Sequence, residues 1–313
     1  MILDKKFEKE ILNVSCRAAL SSFYFIGKKD KIAADKAAVD TMRTELNKID
    51  MKGKIVIGEG ELDEAPMLYI GENVGTTNGP MFDIAVDPLE GTNFAANNLP
   101  GALSVIAVSN KNNLLNAPET YMNKISTNLS EPNVVDLDYP IKRNIYNLAD
   151  FKNKKPENLT ACIMDRPRHK KIIEELRKLK VNLKLITDGD VSGALLVTDE
   201  KYGVDIFLGI GGGPEGVLAA SALDAFNCNF QGRFIFENEK DKSRASKMGI
   251  KDFNKKYELN EIVSGDSIFC ATGITSGDLV SGVEIVNNEF IAETLITHKS
   301  TGLKKIIKTR QKI

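Results

Sequence analysis

The segment from Asp83 to Thr92 reads Asp-Ile-Ala-Val-Asp-Pro-Leu-Glu-Gly-Thr. An apolar run with β character ends there in a carboxylate, and a second carboxylate follows three residues later. Proline offers no donor to a sheet ladder and holds the residue before it extended. The pattern therefore predicts a strand over 81–87 that stops at a sharp exit, with Asp87 facing a crevice. Asp87 and Glu90 then point at one centre, with the Leu89 carbonyl between them. Hard divalent cations such as Mg²⁺ and Mn²⁺ favour such an oxygen-only set. Asp-Pro and Glu-Gly are also common turn residues, so an ordinary turn is the plain alternative.

Other clusters bear on that choice. Between Gly58 and Met67 stand Glu59, Glu61, Asp63 and Glu64. Like charges packed this closely repel unless a cation offsets them, and Gly58 and Gly60 let backbone crowd a small ligand; a solvated acidic loop is the alternative. Asp35 falls in the first turn of an expected helix, where the dipole favours a carboxylate, and by itself reads as a surface residue. Arg166 and Arg168 flank Pro167 at an expected helix start. The dipole disfavours cations there, whereas the guanidinium fork suits a phosphate. His169 beside them reads as solvent-exposed. Asp188 and Asp190, in Asp-Gly-Asp, suit sugar hydroxyls or helix caps equally. The run Gly209–Gly216 lacks the order of a dinucleotide loop, and Glu215 would oppose a pyrophosphate; a tight turn presenting Glu215 to a cation fits better. Tyr121 reads as a packed aromatic. Carboxylates for cations together with arginines for phosphate point to hydrolysis of a phosphate ester.

These groups need elements to hold them. Phe7, Ile11, Val14, Ala18 and Phe25 recur at helical spacing over 4–26, and Ala34, Ala38, Met42, Leu46 and Ile49 do so over 31–49. Strands are expected at 54–57, 81–87 and 101–109. Residues 114–125 read as a turn and a short helix with Pro118 in its first turn. The polar stretch 150–158 marks a domain boundary, giving halves 1–150, which holds the expected metal site, and 151–313, which holds the substrate groups. Beyond 158, strands at 159–164, 182–187 and 204–208 alternate with helices at 168–180, 190–198 and 214–226. That alternation predicts a parallel, doubly wound layer with ligands at the strand ends. A charged helix near 239–248, a strand near 266–271, hairpin strands to about 297 and a basic tail complete an α/β chain.

At 313 residues and 42% apolar composition, the chain can bury a sizeable core. A net charge of −1 argues against a general nucleic-acid binder. Asp4, Lys5, Lys6, Glu8, Lys9 and Glu10 stand where a secretory signal would be apolar. No apolar run reaches the roughly eighteen residues of a membrane span. Cys16, Cys162, Cys228 and Cys270 are far apart and read as reduced, buried thiols. Two histidines make a zinc site rich in His or Cys improbable.

The stretches Gly58–Glu72 and Asp83–Thr92, with Asp188–Asp190, Gly211–Gly216 and Ala271–Thr275, resemble class II fructose-1,6-bisphosphatases. That family is similar in fold to the lithium-sensitive sugar phosphatases. The resemblance implies a layered α/β/α/β/α architecture with two sheet-containing halves. It also implies metal-dependent removal of the 1-phosphate of fructose 1,6-bisphosphate, in gluconeogenesis, by a cytoplasmic homo-oligomer (dimer or tetramer) with Mn²⁺ or Mg²⁺. Asp35 and Glu59 are implied as ligands of one metal, and Asp87, Glu90 and Glu215 as ligands of a second. Thr92 is implied to polarise the attacking water, with Lys31 and Asp63 assisting near the reactive phosphate. Implied substrate contacts are Glu90, Gly91, Thr92, Tyr121, Arg166, Pro167, Arg168, Asp188, Gly189, Asp190 and Gly212. Arg166 stands where the family often has Lys, which keeps the charge. Sedoheptulose 1,7-bisphosphate, alone or as well, is the alternative substrate. An inositol phosphate fits the Glu90 motif less well, and a non-catalytic sugar-phosphate binder would be marked by lost metal ligands.

Overall fold

The computed structural model describes residues 2–58 and 68–313. Two compact units divide the chain: Met1–Asn116 with Val263–Ile313, and Ala117–Ile262. The first unit opens with α1 (Lys6–Phe23), α2 (Lys31–Leu46), β1 (Lys52–Ile57), β2 (Asn73–Val74), β3 (Met81–Glu90), α3 (Thr92–Ala96) and β4 (Leu103–Asn110). The second unit holds β5 (Tyr121–Thr127), α4 (Ile141–Phe151), β6 (Thr160–Met164), α5 (Lys170–Lys178), β7 (Asn182–Ile186) and α6 (Asp190–Leu195). It continues with β8 (Ile206–Gly212), α7 (Gly213–Leu223), β9 (Asn229–Ile235), α8 (Glu239–Lys247), β10 (Tyr257–Glu258) and α9 (Leu259–Ile262). The chain then returns to the first unit with β11 (Ser267–Gly273), β12 (Glu284–Val286), β13 (Glu289–His298) and β14 (Leu303–Lys312).

The first unit's sheet runs β12-β13-β11-β4-β3-β1-β2, with β14 also paired to β13. One face of it is covered by α1 and α2. Phe7, Ile11, Val14, Met42 and Leu46 from the helices pack with Ile55, Phe82, Ile84, Ile106, Ile268 and Ile296 from the strands. The Phe7 and Phe82 rings meet edge to face at 4.8 Å. The second unit's sheet runs β10-β9-β5-β8-β6-β7. Ile145 and Leu148 of α4 and Leu176 of α5 cover it, against Ile125, Ala161 and Ile206.

Several expectations change. The boundary expected at 150/151 falls inside the second unit, because β5, well before it, pairs with β8 and β9. Residues 121–127 are that central strand and not a short helix; Met122 and Lys124 to Thr127 are all buried between neighbours, which a half-buried helix would not allow. The second sheet is only partly parallel: β6 pairs in parallel with β7 and β8, while β5 pairs antiparallel with β8 and β9. The basic tail is β14, antiparallel to β13 over its length, where lysines protect an exposed edge. The charged helix and the strands after it lie as expected.

Strand β3 does not stop at Asp87 but continues through Pro88 to Glu90. Asp87 faces Val105 of β4, yet Glu90 faces Leu103, so three steps on β3 match two on β4. The extra residue is a bulge, a place where proline's missing donor costs no ladder bond.

The return of the chain is fastened by buried polar groups. Asp266 accepts from the Leu3 N–H at 2.8 Å, the Ser300 N–H at 2.9 Å and the Ser300 hydroxyl at 2.7 Å. The His298 ring lies between Asp266 (3.0 Å) and Glu8 of α1 (2.6 Å). Burial alone would raise the Asp266 carboxyl, but the bonds from Leu3, Ser300 and His298 outweigh it and hold it below the ordinary range. A carboxyl depressed in the folded state contributes stability above its unfolded value and loses it as pH falls through the folded value. Asp266→Ala is therefore expected to cost about 3 kcal/mol in denaturant unfolding at neutral pH. The gap to the parent chain should narrow only below about pH 4.

Candidate active site

In the first unit the site residues sit on α2 and on the β3–α3 corner. Asp30 caps α2, accepting from the Ala33 N–H at 2.9 Å. Lys31 is the first, exposed residue of that helix, and Asp35 lies one turn on. Asp35 is half-buried where α2 packs on β3 and α3, and burial pushes its carboxyl up. The bulge settles how Asp87 and Glu90 relate. Alternation along a regular strand would put residues three apart on opposite faces. One extra residue restores the phase, because Val105 and Leu103, their partners, lie on the same face of β4. Leu89, between them, turns instead to the apolar cluster of Ala34 and Ala38. Gly91 follows with φ of 76°, a left-handed value that glycine takes without strain. It turns the chain so that buried Glu90 ends the strand and half-buried Thr92 opens α3.

The second unit gathers the rest. Pro167–His169 form one turn of 3₁₀ helix directly after β6. His169 is completely buried, contrary to the exposed reading. Its Nδ1 lies 2.6 Å from the Met164 carbonyl, and its Nε2 lies 2.7 Å from the Ile210 N–H. Those partners fix one neutral tautomer: Nδ1 donates and Nε2 accepts. Burial drives its pKa down. Pinned this way, Arg168 donates from Nε to the Ile210 carbonyl at 2.9 Å and lies 4.7 Å over the Tyr121 ring. Tyr121 and Arg168 thus meet as a cation–π pair, and neither is buried in the core. Arg166 is half-buried at the same turn.

Lys124, which sequence reasoning missed, organises the carboxylates of this unit. Its side chain is 1% exposed, and its ammonium bonds Asp190 and the Gly212 carbonyl, the latter at 2.6 Å. The stretch Tyr121–Thr127 carries a lone cation amid buried residues; reading it as a helix hid that signal. Asp190 opens α6, and the cap position before it is Gly189. Asp188 bonds the Gly189 N–H at 3.1 Å, and Asp190 keeps Oδ1 buried with no hydrogen-bond partner among the described residues. Glu215 stands in the first turn of α7, after Pro214. Desolvation pushes its carboxyl up; Lys124 pulls it back, and Asp190 and Asp188 push it up further. The glycine run is explained by space, not by a nucleotide loop. It forms the end of β8, where a Cβ at Gly211 would overlap the Asp190 carboxylate and one at Gly212 would overlap that of Glu215.

Asp35, Asp87, Glu90, Gly91, Thr92 and Lys31 belong to the first unit; Tyr121, Arg166 to Arg168, Asp188 to Asp190, Gly212 and Glu215 belong to the second. Glu59 and Asp63 lie outside the described residues. Among the described residues no three His, Cys, Asp or Glu side chains alone form a metal cluster. Magnesium-type sites do not need one, since one or two carboxylates plus substrate phosphates complete them. Asp35 and Glu215, carboxyls raised by burial, are groups whose ionised form a cation would favour. The donors fit a hard divalent ion.

The sequence model of a family described as bacterial fructose-1,6-bisphosphatase, glpX-encoded, matches residues 5–311. The chain belongs to this family. A relative from Synechococcus sp. (strain JA-3-3Ab) is 39% identical, over 98% of this chain and 96% of its own. One from Prochlorococcus marinus (strain MIT 9301) is 43% identical, over 88% of this chain and 87% of its own. Both are named D-fructose 1,6-bisphosphatase class 2/sedoheptulose 1,7-bisphosphatase. A class II bisphosphatase requires a divalent metal, in keeping with the oxygen donors above. In this bisphosphatase Lys124 is a positioning residue: it holds Asp190 against Gly212. Lys124→Met should raise KM for the bisphosphate at least tenfold with a smaller change in kcat. Circular dichroism and a melting curve would separate that from misfolding, and an unchanged KM would remove the role.

Proposed function

We propose that the chain hydrolyses the 1-phosphate of D-fructose 1,6-bisphosphate to fructose 6-phosphate and inorganic phosphate. The family match over almost the whole chain carries this reading. The arrangement of Arg168, Tyr121 and Asp190 in one unit supports it. Water attacks phosphorus, the bond from phosphorus to the C1 oxygen breaks, and that oxygen gains a proton. Thr92, at the corner after Glu90, orients the water. Lys31 and Asp63 assist near the phosphate that leaves. Arg166 and Arg168 hold the phosphate that stays, and Tyr121, Gly91 and Gly212 line the sugar. Asp188 and Asp190 accept from sugar hydroxyls, Asp190 through its buried Oδ1. Asp35 and Glu59 would hold one cation, and Asp87, Glu90 and Glu215 would hold a second, Mn²⁺ or Mg²⁺. A bound cation offsets charge on the phosphoryl and leaving oxygens.

A second reading, hydrolysis of sedoheptulose 1,7-bisphosphate as well, is favoured by the double name of both relatives. Among the described residues no disulfide joins any of the buried cysteines, which suits a reducing compartment such as the cytoplasm.

The purified protein with Mn²⁺ should release phosphate from fructose 1,6-bisphosphate. Asp87→Ala and Thr92→Ala should each lose most of that turnover, by a factor of roughly 10² or more. Metal-independent release, or none, would overturn the proposal; a parallel assay on the seven-carbon bisphosphate decides the second reading. Metal binding should also show a pH signature. The raised carboxyls of Asp35 and Glu215 make the metal-free protein lose stability as pH rises through their folded values. The rise in melting temperature on adding Mn²⁺ should therefore be larger at pH 8 than at pH 5.

A further inference from the structure

The first unit has a cavity of about 410 Å³, lined entirely by its own residues. It lies on the sheet face opposite α1 and α2. Lys52 and Lys54 alternate with Gly53 and Ile55 on β1, so both project to that face. Lys52 pairs with Met81 and Lys54 with Asp83 on β3, and Lys54 pairs with Asn73 on β2. The far wall is the turn that follows β4, with Lys111 and Asn112. Asp83 fixes that turn. Its carboxylate accepts from the Asn113 N–H at 3.0 Å and the Leu114 N–H at 3.3 Å.

Three lysines thus line one cavity with a single carboxylate, Asp83, which backbone donors already engage. Among the described residues, none of Lys52, Lys54 and Lys111 is ion-paired with a carboxylate; burial raises the Asp83 carboxyl, and the backbone donors and the Lys54 charge offset that only in part. Ammonium groups converging on a cavity repel one another unless an anion lies between them. Lysine binds phosphate as a point charge. Asn73 and Asn112 add amides that can both donate and accept, as sugar hydroxyls require. Val56 and Met81 give an apolar wall. The volume is within the range of small-ligand pockets.

We propose that this cavity is a binding site for a small phosphorylated, hydroxyl-bearing metabolite, separate from the active site. Asp83 stands four residues before Asp87 on the same strand, roughly 13 Å away at the rise of a β-strand. β1 runs from the same cavity to Ile57, two positions before Glu59 in the sequence. The ligand therefore grips the near ends of two strands whose far ends lead to proposed metal ligands, a placement suited to an effector.

Lysine-reactivity footprinting by mass spectrometry tests this on the full chain. Glucose 6-phosphate should slow acylation of Lys52, Lys54 and Lys111 at least threefold. Inorganic phosphate should do so only at higher concentration, because it leaves the asparagines unused. Sodium chloride at matched ionic strength, and glucose, should not. Lys52→Ala/Lys111→Ala should raise the concentration that half-protects Lys54 at least tenfold, while turnover without added effector stays unchanged. Protection that follows ionic strength alone, that spares these three lysines, or that survives the double substitution would overturn the proposal.

Discussion

A carboxylate taken out of water is unfavourable unless a cation or a set of donors faces it, and this chain removes several from water close to one another. In the second unit the ammonium of Lys124 is the group that makes this tolerable. It stands beneath Asp190 and the end of β8, where two glycines leave room for the carboxylates. Removing the cation would leave Asp190 and Glu215 repelling each other without it, which is the costly case for buried charge. The composition of the central strand β5 follows from these demands, with apolar neighbours for the sheet and one cation for the site.

The first unit meets the same constraint with backbone donors and strand phase. Asp83 is satisfied by the turn after β4, Asp266 by the N-terminal segment and Ser300. At the other end of β3, a single extra residue decides on which face Glu90 emerges. The two devices differ in kind. Donors lower the cost of a buried charge, whereas the bulge only aims one.

The chemistry is more legible in the sequence than the elements that carry it. Asp87, Glu90, Arg168 and Asp190 stand out as candidates by type and spacing, and α1 and α2 by apolar period. The strand β5 does not, because Pro118 suggests a helix start and the lysine within it suggests exposure; only pairing on both edges makes it a strand. Pro88 suggests a stop because a bulge is a property of two strands, and the register of β4 is not written locally. His169 beside two arginines looks solvated; its two backbone partners come from residues up to 41 positions away. The polar stretch at 150–158 marks a surface loop, but the return of the chain at Val263 is a matter of topology.

The buried imidazole of His169 has a kinetic consequence. Because it is held neutral between two backbone groups, it cannot act as a proton reservoir beside the arginines. The loop proposed to grip phosphate therefore gains no charge from this ring as pH falls through the ordinary imidazole range. Curvature of a pH–rate profile in that range belongs to the ester itself, whose second phosphate ionisation lies near 6, and to the carboxylates proposed to hold metal.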